Sequence, residues 1–225
     1  MYEKALYPTI KKALVSSVSF LLFIDCKEGD EMIKILIDQG HNPGTINAGA
    51  SANGLIESEL TYQAGVYLKE LLDTNCDFEV RLTRNTPLEV LGYDTRTSLQ
   101  ERVQMANDWP ADYFISLHGN YNANPLISGS EVYIYSYESI AERLARDVLN
   151  GMVEVAHTRD NGVRVNPQLY VLRATSMPAI LVEMAYLTNM EDAERLHNDL
   201  FLFSLGIYVG ILRFFDYIQN ASFMV

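Results

Sequence analysis

Short apolar runs alternate along this chain with longer stretches in which apolar residues recur every third or fourth position. "IKILID" from Ile33, "FEVRLTR" from Phe78, "YFISLHGN" from Tyr113 and "AILVEMAYLTN" from Ala179 are runs of the first kind. Near-continuous apolar character closed by polar or turn residues is how strands covered on both faces read. "GSEVYIYS" alternates instead, as expected of a strand nearer a sheet edge. The stretch "LTYQAGVYLKELLD" places Leu60, Ala64, Tyr67, Leu68, Leu71 and Leu72 on one side of a helix. "TSLQERVQMAND" predicts a second helix, opened by Thr97 and Gln100 at capping-box spacing. Residues 138–157, 191–199 and 200–219 predict three more, the last strongly apolar and suited to pack on a sheet. "VRVNPQLYVLR" reads as extended and broken at Pro167. Strands alternating with helices imply βαβ units. The expected fold is α/β: a single domain with a mostly parallel, twisted sheet flanked by helices on both faces.

The 225 residues, 48% of them hydrophobic, suffice for one domain with a full core. Lys+Arg 17 against Asp+Glu 29 leaves a net charge of −12. With no basic cluster to meet phosphate, nucleic acid is excluded as a partner. The first 31 residues stand apart. In "KKALVSSVSFLLFIDC" two lysines precede an apolar run of about a dozen residues, the length of a signal-peptide core and too short to cross a membrane. The region after it lacks a small-x-small cleavage pattern, and Asp25 spoils a lipoprotein-type site at Cys26. "KEGDEM" could equally be encoded by a purine-rich, ribosome-binding-like run ahead of a true start at Met32. Residues 1–31 are therefore a signal-like segment or a leader. Cys26 and Cys76 form no CxxC pair and no metal-ligand spacing, and both read as incidental.

Four polar residues fall at or beside strand ends, the edge where open parallel sheets hold ligands. His41 follows the first strand and His118 follows "YFISL". Glu183 interrupts the last apolar run, where an uncompensated charge costs several kcal/mol. Glu57 sits in "GLIESEL" at the mouth of the first helix, with Glu59 as a competitor. Singly, each has an ordinary explanation. A histidine in a turn is common surface, an acid at a helix start complements its dipole, and Arg84, Arg102 or Arg173 could neutralise Glu183. Together, two imidazoles and a carboxylate make a zinc ligand set with a position left open, and a further carboxylate is a general base. The residues alone leave open which acid takes which part. His157 and His197 lie on helices in polar surroundings and are expected to be solvated.

The segments "ILIDQGHNPGTINAGA", "GLIESELT", "VRLTR", "SLQERVQMAN", "ADYFISLHGN" and "PAILVEMAYLTN" follow one another between about Ile33 and Gln219. In this order the chain resembles the zinc-dependent N-acetylmuramoyl-L-alanine amidases, the amidase-3 family of bacterial cell-wall hydrolases. The resemblance implies a zinc amidase catalytic domain over 32–219, a tail over 220–225 and a Zn2+ cofactor. It implies His41, Glu57 and His118 as metal ligands and Glu183 as the catalytic acid–base group. Asn120 and Asn189 fall at asparagines near the family's site, with substrate binding or loop-stabilising hydrogen bonds as alternative uses, and Arg84 and Arg102 match arginines of structural role. The implied partner is peptidoglycan, a glycan strand with its stem peptide, cleaved at the amide between N-acetylmuramic acid and L-alanine. A zinc hydrolase of another amide, or an inactive peptidoglycan-binding module of this fold, are the competing outcomes. No transmembrane helix and no obligate protein partner are implied. Action is expected at the cell wall or the extracellular side, reached through the N-terminal segment or by lysis. Gln39, Asn42 and Ala185 depart from the family's usual proline and glycines and put the loop around the metal in question.

Overall fold

The computed structural model describes residues 31–216. The readings of the N-terminal segment up to residue 30 and of the tail 220–225 lie outside the described residues. Strand β1 (Ile33–Gln39) leads to a two-stranded hairpin, β2 (Ser51–Ala52) and β3 (Leu55–Ile56). Helix α1 (Glu57–Leu72), β4 (Phe78–Leu82), α2 (Thr95–Asp108) and β5 (Tyr113–Asn120) follow. Then come β6 (Ser130–Ile134), α3 (Ile140–Ala156), β7 (Asp160–Val165) and the short α4 (Tyr170–Ala174). β8 (Ala179–Tyr186), α5 (Met190–Asn198) and α6 (Leu200–Phe214) close the chain.

The main sheet has the order β4-β1-β5-β8-β6-β7. β4, β1, β5 and β8 run parallel, β6 runs antiparallel to β8, and β7 is parallel to β6. Side chains alternate cleanly between two cores, as the pleat requires. Ile35, Ile37, Ile115, Leu117, Val132 and Val182 meet α1, α3 and α6 on one face. Leu36, Phe114 and Leu181 meet Val103 and Ala106 of α2 and Val171 and Leu172 of α4 on the other. The expected fold class is thus borne out. After β1 the chain turns to β4 on one side, and after β4 it crosses to β5 on the other. That reversal opens a crevice beyond the carboxyl ends of β1 and β5.

Three sequence expectations are corrected. Helix α2 is capped by Asp94, whose side chain accepts from the Thr97 amide while Thr97 bonds back, so Thr97 is the box's second member and not its cap. "VRVNPQLYVLR" is half strand and half helix, because the chain after Pro167 turns into α4 and buries Val171 and Leu172. The apolar helix α6 packs on the sheet as expected, with α3 and α1 on its flanks, and is buried nearly all round. Cys76 is disulfide-bonded and so not incidental, while Cys26 lies outside the described residues. Among the described residues, no helix is long and apolar enough to cross a membrane.

Candidate active site

The parity of each strand decides which side chains meet. Leu36, Phe114 and Leu181 face the α2–α4 side, so Asp38, Ser116, His118 and Glu183, an even number of residues further along, rise on that same face toward the carboxyl edge. β1 ends at Gln39, and the chain turns through Gly40 into His41, which adopts a left-handed backbone with φ 68°. Gly40 is needed there, since a Cβ would stand 2.5 Å from the Cε1 and Nε2 atoms of the His118 ring. Gly49 serves likewise on the other flank, where a Cβ would fall 2.7 Å from both Glu57 Oε2 and His41 Cγ.

Three donor atoms converge in the crevice. His41 Nε2 and His118 Nδ1 each lie 3.1 Å from Glu57 Oε1, and the ligating atoms of the three residues all fall within 4.8 Å of one another. The Asn47 carbonyl can only accept, so His41 Nδ1, 3.1 Å away, carries a proton, and that bond turns the ring so that Nε2 faces the Glu57 carboxylate. Glu57 is the first residue of α1, where the helix dipole favours a carboxylate. Its Oε2 accepts from the Ala50 amide at 2.8 Å, and its own amide returns a bond to the Ala50 carbonyl. Burial would raise the Glu57 pKa, but hydrogen bonds from His118 and His41 hold the carboxyl well below the usual carboxylate range. Burial would likewise depress His41, and the Glu57 carboxylate outweighs it and raises the imidazole. The donor set fits a divalent zinc ion: two imidazoles and one carboxylate, with an exposure of 20% at His41 and 16% at His118. Glu59, the competitor, points to solvent.

Beneath this triad lies a buried ion pair. Arg102 Nη1 donates to Asp38 Oδ1 at 2.6 Å and to the Gln39 carbonyl at 2.7 Å, and Nη2 reaches the His41 carbonyl and Asn42 Oδ1. Thr83 and Ser116 hydroxyls complete the Asp38 carboxylate. Burial would push Asp38 up, yet Arg102 and Ser116 hold its pKa below the usual value. Arg84 holds the Ser58 carbonyl in the first turn of α1, one residue past Glu57.

Glu183 stands directly opposite His118 across the β5–β8 pairing. Its Oε2 is buried without a hydrogen-bond partner, and among the described residues no arginine pairs with it. Burial, then the carboxylates of Glu57 and Glu131, raise its pKa well above the ordinary value. A cavity of about 320 Å³ adjoins the triad, with Asp38, His41, Arg102 and His118 on one wall and Leu99, Leu169, Tyr170 and Leu181 among the others.

Residues 35–213 match the Amidase_3 model, described as N-acetylmuramoyl-L-alanine amidase. The chain belongs to that family. It is accordingly an amidase of the cell-wall hydrolase class, as the resemblance implied. Over 195 residues it is 37% identical to the N-acetylmuramoyl-L-alanine amidase CwlM of Bacillus licheniformis, covering 85% of this chain and 72% of that one. The sporulation-specific N-acetylmuramoyl-L-alanine amidase of Bacillus subtilis is 31% identical, with 85% and 71% covered. Among solved structures, the amidase AmiC2 of Nostoc punctiforme superposes with a TM-score of 0.73 at 30% identity over 84% of this chain and 99% of that one.

Two of this amidase's departures are braced by its own side chains. Gln39 accepts from the Arg84 amide and donates to the Tyr62 carbonyl, while Asn42 bonds Leu91, Ser98 and Arg102. Asn120 donates to Glu131 Oε1 at 2.8 Å, beside Glu183. Asn189 caps α5 and donates to the Pro125 carbonyl, which matches the loop-stabilising alternative. His157 and His197 are exposed, as expected. Sequence reasoning left Asp38, Glu131 and Arg164 without a role. The signal for Glu131 was an acid at the start of an apolar strand, the same signal that marked Glu183.

Proposed function

We propose that this chain hydrolyses the amide between N-acetylmuramic acid and L-alanine in peptidoglycan, with His41, Glu57 and His118 holding a zinc ion and Glu183 as general acid–base. The observation that carries the reading is the convergence of the three donor atoms within 4.8 Å, with Glu183 on the adjoining strand opposite His118. When bound, zinc supplies a Lewis acid that polarises the scissile carbonyl and brings the pKa of a coordinated water toward neutrality. His41 keeps one orientation through Asn47, and Glu57 keeps its carboxylate turned inward through Ala50. Glu183 takes a proton from the attacking water as oxygen bonds to the carbonyl carbon. It then delivers that proton to the alanine nitrogen as the carbon–nitrogen bond breaks. Its raised pKa serves the first step, because the carboxylate is a stronger base toward the water, and its acid form remains acidic enough to protonate the departing nitrogen at the second. The products are a lactyl carboxylate on the glycan and a stem peptide with a free amino group. The place of action is the cell wall, and the route to it is the N-terminal segment or lysis.

The test measures zinc by mass spectrometry in wild type and His41→Ala, alongside release of alanine amino groups from purified peptidoglycan. Expected are one zinc per wild-type chain, little in the variant, and activity abolished by a chelator and restored by zinc. Metal-free protein that bound peptidoglycan without cleaving it would replace this reading with a binding module. Zinc-dependent cleavage that frees no alanine amine would point to another amide.

A further inference from the structure

The half of the site beyond Glu183 carries a charged pair that the hydrolysis above does not use. Glu131 lies directly opposite Glu183 on antiparallel β6 and is 2% exposed. Its Oε1 accepts from Asn120 Nδ2 at 2.8 Å, from the Tyr133 hydroxyl at 2.8 Å and from the Tyr186 hydroxyl at 3.3 Å. Its Oε2 receives none of these and stands 2.8 Å from Arg164 Nε, an ion pair without hydrogen-bond alignment. Arg164 is half exposed, at 51%. Val163 packs into the α1–α3–α6 core, so Arg164 projects from the opposite face of β7, the face that carries His118 and Glu183. Arg164 is level with Tyr133, and contact with Glu131 requires its side chain to run along the sheet toward the carboxyl edge.

Two features distinguish this pair from a routine edge-strand salt bridge. A buried carboxylate already served by three donors needs no arginine to satisfy Oε1, and the arginine approaches Oε2 through Nε. A guanidinium approached at Nε keeps its two terminal nitrogens as a fork, the geometry that receives a second planar carboxylate. Glu131 thus fixes the fork at the rim of the reacting site.

Resting on the amidase reading, we propose that Arg164 is a specificity-determining residue that binds a free carboxylate of the stem peptide, on the leaving-amine side of the scissile bond, and that Glu131 is its positioning residue. The spacing fits. β8 and β7 are two strands apart, about 10 Å across the sheet, and an extended peptide advances roughly 3.3 Å per residue. A carboxylate on the residue after alanine, or on its side chain, reaches Arg164 when alanine's nitrogen lies at Glu183. A protein of net charge −12 also needs a local cation to draw in an anionic peptide.

The experiment uses two N-acetylmuramoyl tripeptides that differ only in the second residue, D-isoglutamate with its free α-carboxylate or D-isoglutamine with a carboxamide. Steady-state constants are measured for zinc-loaded wild type, Arg164→Ala, Glu131→Gln and Arg146→Ala, an exposed arginine on α3 that pairs with Glu142. Wild type and Arg146→Ala are expected to prefer the carboxylate substrate by roughly ten- to a hundredfold in kcat/KM, the range of a charge-assisted hydrogen bond. Arg164→Ala loses that preference through KM while keeping its rate on the carboxamide, and Glu131→Gln loses part of it. A wild type indifferent to the carboxylate, or an Arg164→Ala equally impaired on both substrates, overturns the proposal. Wild type that cleaves neither overturns the amidase reading and this inference together, a result separable from the other two.

Discussion

The two halves of the site are built on opposite terms. On the β1–β5 side, Asp38, Arg102, Thr83 and Ser116 form a buried cluster in which both oxygens of the carboxylate are engaged. On the β8–β6 side, Glu183 and Glu131 face each other across a strand pairing, each with an oxygen that accepts no hydrogen bond. The first half lowers the pKa of its acid and the second raises it. Under the function proposed above, the difference separates holding from reacting. A carboxylate locked between arginine and hydroxyls cannot exchange protons at neutral pH, whereas one crowded by burial and like charge is poised to do so.

Replacing Glu183 attacks the reacting half. Glu183→Gln should lower kcat by roughly two to four decades while zinc content stays that of wild type, read by mass spectrometry and amine release. The linkage sign adds a second readout. An acid whose folded pKa is raised costs stability as pH climbs through the interval above its unfolded value, so zinc-free Glu183→Gln should melt higher than zinc-free wild type at pH 7. A lower melting temperature would mean that the carboxylate is favourably solvated and the contrast false.

Replacing Arg102 attacks the holding half. Arg102→Leu leaves Asp38 buried and unpaired and frees the loop at His41 and Asn42, and should cost about 3–5 kcal/mol in urea unfolding. The pH dependence of wild type sharpens the same point with a smaller effect. Asp38 has a depressed pKa, so its stabilisation is complete above its unfolded value and is lost as pH falls through the folded one. Acid unfolding of wild type should therefore be steeper below pH 4 than that of Asp38→Asn, by denaturation at a series of pH values. The smallest effect belongs to the surface. Arg146→Ala removes an exposed i,i+4 pair with Glu142 and should change stability by less than about 1 kcal/mol.

Much of this was legible in the order of residues. Ile33–Gln39, Tyr113–Asn120 and Ala179–Tyr186 read as strands because covered strands must be apolar throughout. Leu60, Ala64 and Leu68 read as a helix because their spacing alone makes one face. His41, His118 and Glu183 stood out because polar groups at strand ends break that pattern. Other features were not legible. The direction of β6 is set by where its partner runs, and an alternating strand pairs either way. The hairpin β2–β3 has only two residues in each strand, too few for any period to register. Tyr170–Ala174 looked extended because one turn of helix after Pro167 is stabilised by burying Val171 and Leu172 and not by propensity.

Local chemistry, acting between residues near in sequence, determined the strands, the principal helices and the presence of four candidate site residues. Which of the two acids in "GLIESELT" turns inward was decided by the tertiary structure, since only Glu57 meets the Ala50 amide and the two imidazoles. Tertiary structure also decided that Glu131 and Arg164 belong beside Glu183. They come from strands joined to it only by pairing, and side-chain partnership across a sheet depends on register, which no single strand contains.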